Sequence, residues 1–244
     1  RALALTMAAL VVLSGCTFPF GQGNDGDGAP VDNVDVSDAY FGLAWYRSGT
    51  TLNPVMDGTE VNSMLREALY EGLFEIKNDF TLENELCEDY TSDGTTFSFT
   101  IKKGIKFWSG AELTASDVAE SLKTVLENES SPYHNRLTEV SSIEAVTKRM
   151  VRITLASPNV NFPKLLDIPI YRAGTTDEGE FAEGTGPYKP VQNGAAWTLE
   201  ANENWHGGFL GTIRHITLVK MTRADAADTS FRTGDVSIMR SARI

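Results

Sequence analysis

Apolar and polar residues recur with a period of two in several stretches after residue 38, which predicts β-strands. Phe97, Phe99 and Ile101 alternate with polar residues and follow a Ser92-Asp93-Gly94 turn, so residues 86–102 predict a β-hairpin. The other predicted strands cover residues 40–46, 143–146 with 151–155 as a second hairpin, 197–201 and 213–221.

Helical spacing marks three further stretches. Residues 61–73 carry one apolar face made of Val61, Met64, Leu65, Ala68, Leu69 and Leu73. Thr114-Ala115-Ser116-Asp117 is a capping box, and the helix it opens has Val118, Leu122, Val125 and Leu126 facing inward. One short helix is predicted within residues 161–167. The sequence shows no internal repeat, and the order of elements predicts an α+β chain with mixed sheets.

The N-terminal residues differ from the rest in being almost wholly apolar. Residues 2–13 are apolar apart from Thr6, a run too short for a membrane span, which needs about 18 residues, but typical of a secretory signal. The run ends in Leu13-Ser14-Gly15-Cys16, which resembles the bacterial lipobox, in which the cysteine is diacylated and becomes the mature N-terminus. We predict a lipoprotein signal peptide over residues 1–15, with lipidation of Cys16. The alternative is an ordinary signal peptide with an incidental cysteine.

A polar, glycine-rich stretch follows the cysteine. Residues 21–28 contain four glycines and no apolar residue, so residues 16–37 predict a flexible tether. Asp25-Gly26-Asp27-Gly28 has the spacing of part of a calcium loop, but the later ligands and the closing glutamate are absent, which favours a linker.

Charge and composition exclude several classes of function. The formal net charge of −12 argues against nucleic acid as a partner. With Cys16 lipidated, only Cys87 remains, so no disulfide framework is expected. The histidines, His134, His206 and His215, lack metal-binding spacing, and no catalytic motif occurs. We therefore expect no enzyme activity, no metal site and no cofactor.

Residues 106–118, Lys-Phe-Trp-Ser-Gly-Ala-Glu-Leu-Thr-Ala-Ser-Asp-Val, resemble the signature segment of family 5 extracellular solute-binding proteins. These are the peptide, oligopeptide and nickel receptors of ABC importers. Further matches occur in the family's order: Leu52-Asn53-Pro54, Tyr70-Glu71-Gly72-Leu73-Phe74, Gly184-Thr185-Gly186-Pro187-Tyr188, Asn204-Trp205-His206-Gly207-Gly208 and residues 231–238. In the last segment, interpreted as a strand, Ser237 stands where the family usually has an acidic residue.

The resemblance implies a fold with mixed α+β and α/β character, two-lobed like a periplasmic binding protein. Ligand is trapped between the lobes as they close about a hinge. Residues 38–54 and 166–244 are assigned to the first lobe, which is incomplete, and residues 55–165 to an extra subdomain inserted in it. Family members are longer than this chain, so it is expected to be an N-terminal fragment that lacks the second lobe.

The resemblance also implies which residues border the ligand. They are Ser48 and Gly49 in one loop and Met239, Arg240, Ser241 and Ala242 in a second. The Arg240 guanidinium could pair with a ligand carboxylate, or it could be a surface or hinge arginine.

The function implied is capture of peptides, or of a similar small solute, for delivery to an ABC permease. The receptor would be lipid-anchored at the cell surface or on the periplasmic face of the bacterial cytoplasmic membrane. The alternative is a lipid-anchored peptide-sensing receptor or adhesin without transport.

Overall fold

The computed structural model describes residues 40–45, 51–56, 58–175, 180–221 and 224–239. The predicted signal peptide, Cys16 and the tether lie outside these residues. Within them the α-helices and strands are, in chain order, β1 (Gly42–Trp45), α1 (Glu60–Leu69), β2 (Phe74–Ile76), β3 (Leu82–Asn84), β4 (Cys87–Ser92), β5 (Thr96–Ile101), α2 (Ala115–Glu127), β6 (Val140–Thr147), β7 (Met150–Leu155), β8 (Tyr188–Asn193), β9 (Ala196–Ala201), β10 (His215–Lys220) and α3 (Ala224–Thr233).

One four-stranded sheet joins the beginning of the described chain to its later part. Its strand order is β1-β10-β9-β8, with β1 parallel to β10 and the remaining pairs antiparallel. On the other side of β1, Ile238 forms a parallel bridge with Leu43. The short strand β1 is therefore flanked by parallel partners that come from far along the chain.

A second four-stranded sheet, in the order β4-β5-β7-β6, is antiparallel throughout. It contains both hairpins predicted from the alternating pattern, and that prediction is confirmed. Phe97, Phe99 and Ile153 are buried on one face of this sheet, because alternate residues of a strand point the same way. Helix α2 packs against β6 and β7. A small β2–β3 hairpin was not predicted, because three-residue strands are too short to show a period.

The α2 capping box is present as predicted. The Asp117 carboxylate accepts hydrogen bonds from the Thr114 backbone N–H at 2.9 Å and from the Thr114 hydroxyl at 2.6 Å. A capping residue satisfies N–H groups that the first helical turn leaves without partners.

Two predictions of secondary structure need correction, one for the end of α1 and one for residues 231–238. Helix α1 ends at Leu69 and not near Leu73, because Tyr70 is extended with φ −133° and ψ 152°. The apolar spacing continues past the end of the helix because Leu73, which lies in the following loop, is also buried. Residues 231–238 are not a strand: α3 runs to Thr233, Gly234 turns the chain at φ 82°, and only Ile238 pairs with β1.

No helix in the described part of the chain combines the length and the apolar character needed to cross a membrane.

Candidate functional site

The carboxyl ends of the parallel strands meet at one edge of the first sheet. Ala44 N donates to Ile238 O at 3.1 Å and Ile238 N donates to Gly42 O at 3.1 Å, which fixes Ile238 beside β1. Since β10 runs parallel on the other side, β1, β10 and the Ile238 segment all lead to the same edge. In open sheets with parallel strands, ligands bind outside the carboxyl ends of the strands.

Both predicted ligand-bordering loops follow in sequence from this edge. Of their six residues the structure describes Met239, which comes directly after Ile238. Met239 packs against the small cluster of Ala44, Met221, Ala227 and Val236. Ser48, Gly49, Arg240, Ser241 and Ala242 lie outside the described residues. The structure thus brings together the segments that lead into the two loops.

Aromatic side chains support the end of β1. Trp45, its last residue, is buried and stacks on Phe181 with ring centroids 6.4 Å apart. Phe181 in turn meets the edge of Trp197 at 5.0 Å. Stacked and edge-to-face rings favour one relative placement, so this group holds the end of the strand in a defined position.

The segment that returns from the first loop, residues 51–56, is fixed by Asn53. Asn53 Oδ1 accepts from Val55 N at 3.0 Å, and Asn53 O accepts from the Asn62 side chain of α1 at 3.1 Å. Asparagine followed by proline favours such a turn, because the side chain can bond to backbone two residues on. The Leu52-Asn53-Pro54 motif therefore anchors the end of the loop to α1.

A polar cavity of about 250 Å³ lies between this segment, α2 and residues 171–174. Its lining residues are Thr51, Asn53, Met56, Glu120, Thr124, Tyr171 and Gly174. This cavity was not predicted from the sequence, because its residues come from three distant stretches and none belongs to a motif with recognisable chemistry other than the loop end at Asn53.

Tyr171 is at the centre of the cavity's polar groups. Its phenol oxygen lies 2.7 Å from Thr124 Oγ1. The pKa of the Tyr171 phenol is raised, mainly by burial and to a smaller extent by the nearby Glu120 carboxylate. The hydrogen bond with Thr124 and the Asn53 side chain act in the opposite direction but do not cancel this rise. The phenol is therefore protonated at neutral pH, and it faces Glu120, Thr124 and Asn53.

Helix α2 holds the backbone of this tyrosine. Ser121 Oγ accepts from Tyr171 N at 3.0 Å, and the second oxygen of the Asp117 carboxylate accepts from Ala173 N at 3.0 Å. Asp117, predicted only as a helix cap, therefore also positions one wall of the cavity.

Beyond this wall, Arg172 pairs with a buried carboxylate. Its Nη1 lies 2.9 Å from Glu183 Oε2, and Glu183 Oε1 accepts from Ser109 N at 2.6 Å. Arg172 is thereby held away from the cavity.

Two of the family-like motifs meet around a buried glutamate elsewhere. Glu71 Oε1 accepts from Trp205 Nε1 at 3.0 Å and lies 2.8 Å from His206 Nε2. A cavity of about 290 Å³ adjoins them and is also lined by Glu85, whose pKa burial raises to about 7. No group of three or more metal-ligating side chains suited to an ion occurs among the described residues. These contacts connect the two motifs structurally.

The Gly184–Tyr188 motif serves close packing. A Cβ at Gly184 would lie 2.1 Å from Leu69 O, and one at Gly186 would lie 2.5 Å from Leu69 C. Gly186 N donates to Leu69 O at 3.0 Å. The motif crosses the end of α1 with no room for a side chain.

Comparison with known proteins agrees with this geometry. The family model for bacterial extracellular solute-binding proteins, family 5 (Middle), matches residues 81–244. The chain belongs to family 5 of the bacterial extracellular solute-binding proteins. This confirms the resemblance drawn from the motifs, and the family is one of solute-binding proteins and not of enzymes.

Curated relatives of this family 5 chain include two glutathione-binding proteins GsiB. The protein from Salmonella choleraesuis (strain SC-B67) is 31% identical over 156 residues, which cover 57% of this chain and 30% of the relative. The protein from Escherichia coli (strain K12) is 30% identical over 155 residues, with the same coverage. The match thus spans less than a third of these relatives.

Solved structures show the same fold at low sequence identity. The oligopeptide-binding protein AppA of Bacillus subtilis, solved with a nonapeptide, has a TM-score of 0.68 and 22% identity; the alignment covers 82% of this chain and 44% of AppA. NikZ of Campylobacter jejuni, solved with Ni(L-His), has a TM-score of 0.66 and 18% identity, with coverage of 82% and 43%. The predicted mixed fold is confirmed, and the chain corresponds to less than half of each of these structures.

Proposed function

We propose that this chain is the first-lobe part of a substrate-binding component of an ABC importer, which captures peptides or a similar small solute and delivers them to the permease. The observation that carries the proposal is the shared edge of the sheet at which β1, β10 and Ile238 end. The polar cavity lies beside residues 51–56, the segment that follows the first of the two proposed loops. The names of relatives, glutathione-binding and oligopeptide-binding, support a peptide-like ligand.

The proposed division into lobes follows the sheets. Residues 38–54 and 166–244 would form the first lobe, since β1 pairs with β10 and not with a nearby strand. Residues 55–165 would form the inserted subdomain, which has its own sheet of β4 to β7. The ligand would be trapped when a second lobe closes on the edge of the first, and its affinity would come from contacts made in the closed state.

The proposed ligand contacts are the two loops at this edge, with Ser48 and Gly49 in one and Met239 to Ala242 in the other. Arg240 would pair with a ligand carboxylate. The position of Met239 directly after the Ile238 bridge supports a place for the second loop beside the first.

Calorimetry with a peptide library tests this function. The complete receptor is expected to bind peptides in the micromolar range or tighter, and a truncated form limited to residues 1–244 at least about a hundredfold more weakly, because one-sided contact leaves most of the ligand hydrated. Equal affinity of the two would contradict the two-lobe proposal. Failure of the complete receptor to bind any peptide would contradict the peptide assignment.

We also propose that Cys16 anchors the protein to the membrane through lipid. The proposal rests on the apolar run that ends in Leu13-Ser14-Gly15-Cys16. Cys16→Ser is expected to release the protein from the membrane fraction, since two acyl chains hold a protein at a bilayer and their loss leaves no anchor. Equal membrane retention of both forms after fractionation would refute lipidation at this residue.

A further inference from the structure

The cavity beside residues 51–56 has an unbalanced charge. Glu120 is the one acidic residue of its lining, and no lysine, arginine or histidine belongs to that lining. Arg172, adjacent to Tyr171 in the chain, is held by Glu183. In the part of the chain that the structure describes, no cation lies within ion-pair distance of Glu120, although eleven ion pairs occur there.

A second observation concerns the floor of the same cavity. Asn53 is 3% exposed, and its side-chain nitrogen Nδ2 makes no hydrogen bond of ordinary geometry, although the Asn53 side chain interacts with the Tyr171 phenol. Leaving a buried amide donor unsatisfied is unfavourable, because the hydration lost on burial is not replaced by another hydrogen bond. The cavity therefore offers an Asn53 amide whose hydrogen-bonding capacity is not filled and a Glu120 carboxylate with no partner cation among the described residues.

A complementary ligand group carries positive charge and has an acceptor oxygen close to it. We propose that Glu120 is a specificity-determining residue, which selects ligands that place an ammonium or guanidinium group in this cavity, while Asn53 Nδ2 donates to a neighbouring carbonyl oxygen. The inference rests on the proposed function and names the chemical class of ligand for it.

The size of the cavity limits how much of the ligand it holds. About 250 Å³ is smaller than the roughly 300–1,000 Å³ of pockets that enclose a whole small molecule. It suits one cationic residue of a peptide, or its charged amino terminus. An anionic group there would meet the Glu120 carboxylate with no compensating cation in the lining.

Matched peptides distinguish these two sources of positive charge. The peptides are Ala-Lys-Ala, its norleucine analogue, which removes the side-chain ammonium, its glutamate analogue, and the N-acetylated lysine peptide, which removes the terminal ammonium. Each is titrated calorimetrically into the complete receptor as wild type, Glu120→Gln and Glu127→Gln. Glu127 carries the same charge two turns further along α2, outside the cavity lining, and controls for long-range electrostatics.

Wild type is expected to lose about tenfold in affinity when the ammonium that occupies the cavity is removed, by norleucine or by acetylation. Glu120→Gln should abolish that difference while binding the less charged peptide as before, and Glu127→Gln should preserve it. Glu120 is exposed, so its replacement is expected to leave the circular dichroism spectrum unchanged.

Peptide binding with no dependence on either ammonium, or with a dependence that survives Glu120→Gln, would overturn the inference and leave the proposed function intact. Absence of binding by wild type to all four peptides, and to the wider library, would overturn the proposed function and the inference together.

Discussion

Replacing Gly186 by alanine should destabilise the protein severely, because the new methyl group would meet backbone. The Cβ would lie 2.5 Å from Leu69 C and 2.8 Å from both Ala68 O and Tyr70 N. Real Cβ atoms stay at least 3.0 Å from such atoms, so the crossing must open by about 0.5 Å. All three contacts are with the last turn of α1 and the residue after it, which cannot move aside as a flexible side chain can.

The cost has two parts. Overpacking a close-packed site costs about 1–3 kcal/mol. Moving the two segments apart also weakens the hydrogen bond from Gly186 N to Leu69 O, worth about 1 kcal/mol. We therefore expect a loss of about 2–4 kcal/mol in the free energy of unfolding, which corresponds to a fall in Tm of about 4–16 °C for a protein of this size.

Urea unfolding followed by circular dichroism measures this loss, with two other glycines as controls. Gly58→Ala adds a Cβ at 3.6 Å from the Pro132 side chain and should be neutral or slightly stabilising. Gly194→Ala meets no atom within 4 Å but has φ 63°, so it should cost about 1 kcal/mol through backbone strain alone. If Gly186→Ala unfolds at the same urea concentration as Gly58→Ala, the close-approach argument is wrong.

Three further outcomes are expected. Asp117→Ala should lower the free energy of unfolding by about 2–3 kcal/mol, and Thr114→Ala by only about 1 kcal/mol, because Asp117 both caps α2 and holds Ala173; equal losses in chemical denaturation would refute the double role. Burial raises the pKa of Glu85 from 4.5 to about 7, so the folded state keeps a proton that the unfolded state loses; the resulting contribution to the free energy of unfolding, about 2–3 kcal/mol, is complete below pH 4.5 and is lost as pH rises through 7. Glu85→Gln should therefore make Tm less dependent on pH between these values, and an unchanged pH profile would contradict the assignment. Glu71→Leu should cost about 2–4 kcal/mol by leaving Trp205 Nε1 without its acceptor, whereas Glu71→Gln should cost less, since its carbonyl oxygen can still accept; tryptophan fluorescence and thermal melts of the two variants would show whether they differ.

Local patterns predicted most of the local structure. The hairpins around Phe97–Ile101 and Val151–Leu155 came from strict alternation, and α2 came from its capping box, because both signals depend on residues close in sequence. The end of α1 and the α3 segment were predicted wrongly. Leu73 lies in a loop after α1, but it is buried at a position that fits the helical spacing, so the helix was predicted to extend too far. Residues 231–238 were interpreted as a strand from the resemblance, whereas they contain the end of α3 and a single bridge at Ile238.

The candidate site was much less predictable. The loops at Ser48–Gly49 and Met239–Ala242 were named from the resemblance, whereas the cavity with Glu120, Thr124 and Tyr171 was not found at all. Its residues come from three stretches about 45 to 65 positions apart in sequence, and each alone is an ordinary surface or core residue. The hydrogen bonds of Tyr171 and Ala173 to Ser121 and Asp117, together with the one between Tyr171 and Thr124, bring two of these stretches together.

The sequence by itself determined the family, through short motifs kept in a fixed order, and the type of most elements, through periodicity that each element carries within itself. The tertiary structure decided that β1 lies between β10 and Ile238, that Gly184 and Gly186 cross the end of α1, and that Glu120 and Asn53 share one cavity. The physical reason is that periodicity reports which face of an element is buried, but not which distant element covers it. Parallel pairing, close backbone approach and charge balance in a cavity depend on partners that are remote along the chain.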